Sequence, residues 1–278
     1  MVQNSESVVL SLRDADLPPR IVPEGYVALT CGVDMQKRGF WYLTCAWTAN
    51  LDCAVIDHGR FMTWDEVQHY CLHADFAVQG AGTEGNRAQI WRAALDTGGG
   101  IAEGGFISRT EEALDFVRRY GSGIIHATKG ASHAQINPVQ WSITERLPQS
   151  RTPIAGGLKL FLLDTNYFKS WASSRMTPEA RQPLRLHRDC GEDLALQLTA
   201  EEQVREKGRR VWRQKRKDNH WFDCLCLNLA CVHTTWTPGL ARLIEPQASP
   251  ASPISHENTA AAQPLALAHR MQEGGTLW

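Results

Sequence analysis

The sequence predicts an α/β fold: a mixed central sheet, its first three strands antiparallel, flanked by helices. Three observations carry that prediction. Three apolar runs follow one another between residues 27 and 58, with only turn residues between them. Beyond them, stretches with helical spacing alternate with short apolar runs. The composition, 43% apolar with a net charge of −1 over 278 residues, is that of a globular chain with an adequate core.

The elements follow in order. Residues 27–33, 40–48 and 52–58 read as strands, and Lys37-Arg38-Gly39 and Ala49-Asn50 punctuate them as turns, which makes an antiparallel meander. A helix is expected from Trp64 to about Val78. Ile90 to Leu95 is a strand that Asp96 ends. Thr110 to Tyr120 carries Ala113, Leu114, Phe116 and Val117 at helical spacing. Ile124–Thr128 and Leu158–Leu163 read as strands and Tyr167–Met176 as a short helix. Thr199 with Glu202 three residues on forms a capping-box pattern. Arg209 to Lys217 is strand-like and basic, and an apolar helix containing Asp223 closes the compact region.

Composition bounds the function. A net charge near zero means that any nucleic-acid footprint must be local. No apolar run is long enough for a membrane span, and the first residues lack a signal-peptide pattern, so a cytosolic protein is expected. There is no Cys-x-x-Cys pair among the eight cysteines, and six of them lie in apolar runs, which fits buried free thiols in a reducing compartment. Residues 1–24, rich in proline near their end, are expected to be a linker or N-terminal extension. A single compact domain is expected over 25–236, and a disordered Pro/Ala/Ser-rich tail over 237–278.

The candidate chemistry lies in three aspartates. Asp34 ends the first strand run, Asp96 ends a later one and is followed by Gly98-Gly99-Gly100, and Asp223 sits near the start of the last helix. Neighbouring strands bring their ends together, and a helix packed on the sheet can add a third carboxylate. Such a cluster repels itself unless a hard cation occupies it, and its oxygen donors suit Mg²⁺ or Mn²⁺. Taken singly, each aspartate is also an ordinary turn former or helix-dipole partner.

The order of elements is that of the ribonuclease H-like fold, with one acid on the first strand, one on the fourth and one on a late helix. Six words in series strengthen it. Gly32-Val33-Asp34-Met35-Gln36, Leu95-Asp96-Thr97-Gly98-Gly99, Ala127-Thr128-Lys129-Gly130, the stretch Leu158 to Lys169, Gln197-Leu198-Thr199-Ala200-Glu201 and Asn219-His220-Trp221-Phe222-Asp223-Cys224 appear in order. Together they resemble the nuclease domain of phage terminase large subunits of the lambda GpA type, over about residues 21–233. The resemblance implies a metal-dependent endonuclease that cuts concatemeric double-stranded viral DNA during packaging in the host cytoplasm. Its partners would be a terminase ATPase portion or small subunit and the capsid portal, with no membrane. Two departures stand out. No Gly-x-x-x-x-Gly-Lys-Ser/Thr word occurs, so the packaging ATPase is expected elsewhere. His220 also replaces the family's usual acid.

Within that reading Asp34, Asp96 and Asp223 are expected as both catalytic residues and metal ligands. Asp34 would be shared between two ions, about 3.5–4 Å apart in enzymes of this type, with Asp96 on one and Asp223 on the other. Lys129 would contact a phosphate, or be a plain surface charge. Arg209, Arg210, Arg213, Lys215 and Lys217, with Trp212 interleaved, would contact the DNA backbone without reading sequence. Asp164 reads as a strand end. His69 and His73, four apart, read as an ordinary helix face. The rivals are a junction resolvase or transposase-like nuclease of the same fold, and a non-catalytic portal or terminase docking module.

Overall fold

The computed structural model describes residues 5–80, 86–98, 108–131 and 135–244. It opens with a short helix, α1 (Glu6–Leu10), and two two-residue strands, β1 (Arg13–Asp14) and β2 (Ile21–Val22). Three long strands follow: β3 (Ala28–Met35), β4 (Phe40–Trp47) and β5 (Cys53–Phe61). Next come α2 (Trp64–His73), β6 (Asp75–Val78), β7 (Arg87–Asp96), α3 (Arg109–Tyr120), β8 (Ile125–Gly130), β9 (Val139–Arg146) and β10 (Pro153–Leu163). The last part holds α4 (Thr165–Arg175), β11 (Leu184–His187), α5 (Glu192–Leu198), β12 (Glu201–Glu206), β13 (Arg209–Gln214), α6 (His220–Val232) and α7 (Ala241–Ile244).

The main sheet runs β1-β11-β5-β4-β3-β7-β8-β10-β9. β3, β4 and β5 pair antiparallel, while β7 adds to the free edge of β3 in parallel and β8 to β7 likewise. This is the ribonuclease H-like arrangement expected from the sequence. Parallel neighbours matter here, because they bring two strand C-termini, and whatever side chains end them, to one edge.

Every residue of β3 is buried, so the strand must satisfy two cores. Its alternate side chains Leu29, Cys31, Val33 and Met35 belong to the cluster formed with α2 and α3. The intervening positions face α6. There the sequence has Gly32, and an added Cβ would run into the Cys224 carbonyl and crowd Asn228. The helix therefore lies directly on the strand. Asn228 fixes it, donating to the Leu43 carbonyl at 2.8 Å and accepting from Thr30 Oγ1 at 2.6 Å. Trp47 Nε1 in turn donates to Thr30 Oγ1 at 2.7 Å. These are fully buried polar groups, and their mutual bonding is what makes burial tolerable.

Four expectations need correction. The helix expected to reach Val78 stops at His73. Ala74 is extended, and Asp75–Val78 pairs with both β2 and β7. Strand partners outweigh the marginal propensity of that stretch to continue as helix. Thr199 does not open a helix. It is the C-cap of α5, with its hydroxyl donating to the Ala195 carbonyl at 2.8 Å, and Glu202 lies in β12 opposite Arg213. The segment expected as a linker is packed: Val9, Leu12, Leu17 and Val22 are buried, and Arg216 bonds Glu6. The prolines there end local structure without freeing the chain. Finally, the body does not stop at 236. Buried Arg92 donates to the Cys231 and Pro238 carbonyls at 2.6 and 2.7 Å, and Leu240 is buried. The remainder of the expected tail, from residue 245, lies outside the described residues.

Candidate metal centre

Asp34 and Asp96 are directly opposite one another in the register of β3 and β7. Both strands present their C-terminal ends at this edge, so the two carboxylates emerge side by side. Asp34 is 4% exposed. Its Oδ2 accepts from Gln36 Nε2 at 2.7 Å and lies 2.7 Å from His220 Nδ1. The His220 ring stacks on Trp41 at 5.0 Å, which fixes its orientation. Asp96 Oδ1 accepts the Gly98 backbone N–H at 2.9 Å. A Cβ at Gly98 would stand 3.1 Å from that same oxygen, so the tight turn after the strand suits glycine. Gly99 and Gly100 lie outside the described residues.

Asp223, in the first turn of α6, completes the group. Asn219 Nδ2 donates to Asp223 Oδ2 at 2.9 Å and to Glu201 Oε1 at 2.6 Å. Lys169 Nζ bonds both oxygens of Glu201 at 2.6 and 2.7 Å and lies 3.7 Å from Asp223 Oδ1. The helix-on-strand contact at Gly32 places this turn beside Asp34.

The electrostatics follow from crowding. Burial pushes Asp96 up to about 6. The Gly98 hydrogen bond and Lys129 pull the other way, and Asp34 adds to the rise. Asp223 is pushed up to about 7, first by burial, with Lys169 opposing and Asp34, Glu201 and Asp96 adding. One third of its side chain remains exposed. Burial lowers Lys169, but Asp223 and Glu201 outweigh it and hold its ammonium above the usual lysine range. Carboxylates raised by burial and crowded by like charge mark a place that lacks positive charge, and a divalent cation with oxygen ligands fits that deficit.

Among the described residues, one group of three metal-capable side chains has its donor atoms all within 4.8 Å of one another, and it is His58, His187 and Cys190. The three aspartates do not gather that tightly. His69 and His73 face each other on α2 with ring centroids 5.9 Å apart. Asp164 caps α4, accepting from the Tyr167 N–H at 3.1 Å.

The basic run forms the β12–β13 hairpin, whose turn residues Lys207 and Gly208 both have positive φ. Arg209, Arg210, Arg213, Lys215 and Lys217 are exposed, and Arg213 also pairs with Glu206 at 3.1 Å. A cavity of about 740 Å³ lies between α4 and this hairpin, lined by Ser170, Glu201, Arg210, Trp212, Lys215 and Phe222 among others. It includes neither Asp34 nor Asp96, so it flanks the acidic cluster and shares Glu201 with it. Lys129 is exposed one residue beyond Thr128, the register partner of Asp96.

Sequence reasoning missed five residues that hold the aspartates: Gln36, His220 as a partner of Asp34, and the Lys169–Glu201 pair with Asn219. Lys169, Glu201 and Asn219 all lie within the quoted words, which was the available signal. That they meet is a property of the tertiary fold.

The family model described as terminase large subunit gpA, endonuclease domain, matches residues 2–238. No curated protein matches the chain. Among solved structures, it is similar to the nuclease domain of g2p, the large terminase of bacteriophage SPP1, determined with bound Mn. That similarity is at 10% identity and TM-score 0.38, over 76% of this chain and 96% of the other.

Proposed function

The chain belongs to the family of terminase large subunit gpA endonuclease domains, and from that premise we propose that it is a metal-dependent endodeoxyribonuclease that cuts concatemeric double-stranded phage DNA during packaging. The observation that carries the reading is the pairing of Asp34 with Asp96 in adjacent parallel strands, with Asp223 brought over them by α6. Oxygen donors alone, two of them raised by burial and by neighbouring carboxylates, favour Mg²⁺ or Mn²⁺. When bound, two such ions supply Lewis acidity and an activated water for phosphodiester hydrolysis. Asp34 would be shared by both, with Asp96 on one and Asp223 on the other.

The chain's own residues do the remaining work. His220 and Gln36 hold Asp34 Oδ2 in place. Asn219 orients Asp223 and ties it to Glu201. Lys169 balances the charge of both acids without displacing them. Arg209, Arg210, Arg213, Lys215 and Lys217 would run along the DNA backbone, and Lys129 would contact a phosphate beside Asp96. Such contacts position the duplex without selecting a sequence. The motor would come from a terminase ATPase portion, delivery from a small subunit and portal, and the setting would be the host cytoplasm. Among the described residues, no helix is long and apolar enough to cross a membrane.

The family match favours packaging over a resolvase or transposase role. Linear double-stranded DNA incubated with the protein in Mn²⁺ is expected to be shortened without sequence preference, and EDTA to abolish this. A folded protein that leaves DNA intact in Mn²⁺ and Mg²⁺, yet binds a portal or small subunit, would instead establish a docking module.

A further inference from the structure

Away from the aspartates, His58 meets His187 and Cys190, from far along the chain, on the α6 face of the sheet. His58 lies on β5, His187 ends β11, and Cys190 follows in the connection to α5. His58 Nδ1 is 3.0 Å from His187 Nε2, and the Cys190 sulfur completes a group whose donor atoms all lie within 4.8 Å. His187 is 3% exposed and Cys190 1%. The second ring nitrogen of His187, Nδ1, is buried with no hydrogen-bond partner. The ring is therefore held in the core by its other nitrogen, Nε2, the one that faces His58 Nδ1 and Cys190.

We propose that His58, His187 and Cys190 form a second metal site, selective for a borderline-soft ion of the Zn²⁺ type and separate from the carboxylate centre. The donor set decides the class: two imidazole nitrogens and a thiolate suit Zn²⁺, whereas the hard Mg²⁺ takes oxygen. Bonds of about 2.0–2.3 Å place tetrahedral ligands roughly 3.3–3.8 Å apart. The two imidazole nitrogens, 3.0 Å apart, are close to that spacing, and the Cys190 sulfur lies within 4.8 Å of them. Binding replaces the thiol proton: Cys190 S–H becomes S⁻ on the ion and one proton is released. Water would take the fourth position.

The ion would have a structural purpose. It would clamp the β11–α5 connection to β5 at the point where His58 packs on the edge of Trp221. Trp221 in turn meets Trp41, on which His220 stacks. The start of α6, and with it the orientation of His220 on Asp34, would therefore rest on the clamp.

The test is cobalt titration of the full chain after EDTA treatment, under reducing conditions. A thiolate-to-cobalt charge-transfer band with four-coordinate d–d absorption is expected, saturating as a single site and displaced by Zn²⁺. Asp34→Asn should retain the band, because carboxylates cannot produce it. Cys190→Ala and His58→Gln, each checked for native circular dichroism, should lose it. No thiolate band in the folded parent protein would overturn the site, as would a band that survives in a folded Cys190→Ala protein.

Discussion

Asp96 and Asp223 are where single residues make their sharpest demand. Both have folded-state pKa values raised above the usual carboxylate value, to about 6 and about 7. A raised folded pKa favours the fold below the unfolded value, and that contribution is lost as pH rises through the folded value. The metal-free protein is therefore expected to lose stability between about pH 4 and 7 through these two groups, and a divalent ion to restore it. Thermal melts with and without Mn²⁺ should diverge more at pH 8 than at pH 5, and a metal-induced stabilisation independent of pH would contradict this. His220 provides a second residue-scale expectation. Its replacement by Ala removes the 2.7 Å contact to Asp34, and loss of a ligand's hydrogen-bond partner typically costs 10–100-fold in metal affinity or activity. Mn²⁺ titration calorimetry reads this directly. None of it was visible in composition. The three aspartates were legible because each ended or opened a recognisable run, but His220 looked only like a departure from a family word until its ring was placed on Trp41.

At the scale of elements, the close seating of α6 on β3 decides whether Asp223 reaches Asp34. Gly32→Ala would force a Cβ against the Cys224 carbonyl, and overpacking a well-packed contact costs about 1–3 kcal/mol. A fall in melting temperature is expected together with weaker Mn²⁺ binding, because the helix must shift to relieve the clash. Unchanged binding would mean that α6 does not set the centre's geometry. The hairpin allows an independent test. Charge reversal of Arg213 and Lys215 should weaken DNA binding and flatten its salt dependence, since fewer phosphates would be neutralised. The long strands and α3 were legible because their apolar periods are unbroken. β9, β11 and α5 were not. β9 is mostly exposed, β11 has four residues, and α5 is preceded by Gly191, which offers it no side-chain cap. The capping pattern at Thr199 misled because the same hydroxyl serves as well at a helix C-terminus, where it bonds back to Ala195.

For the molecule as a whole, the sheet with helices on both faces builds two cores, and the cluster of acids sits at the edge where parallel strands end. The first 24 residues contribute to both cores: Val9 and Leu12 to one, Leu17 and Val22 to the other. Their removal is therefore expected to destabilise the whole domain and not merely to shorten a linker. Circular dichroism melts of a protein lacking residues 1–24 would show it, and an unchanged melting temperature would contradict the packing described. Proline content suggested a linker because it excludes regular structure, but it says nothing about whether irregular chain is buried. The central claim remains that Asp34, Asp96 and Asp223 act as one metal-binding unit that cuts DNA. The most direct measurement is nicking and linearisation of supercoiled plasmid by the protein and its Asp34→Asn form, with Mn²⁺, Mg²⁺ or EDTA. Metal-dependent cutting by the parent and none by the folded variant is expected; equal cutting by both would contradict the assignment.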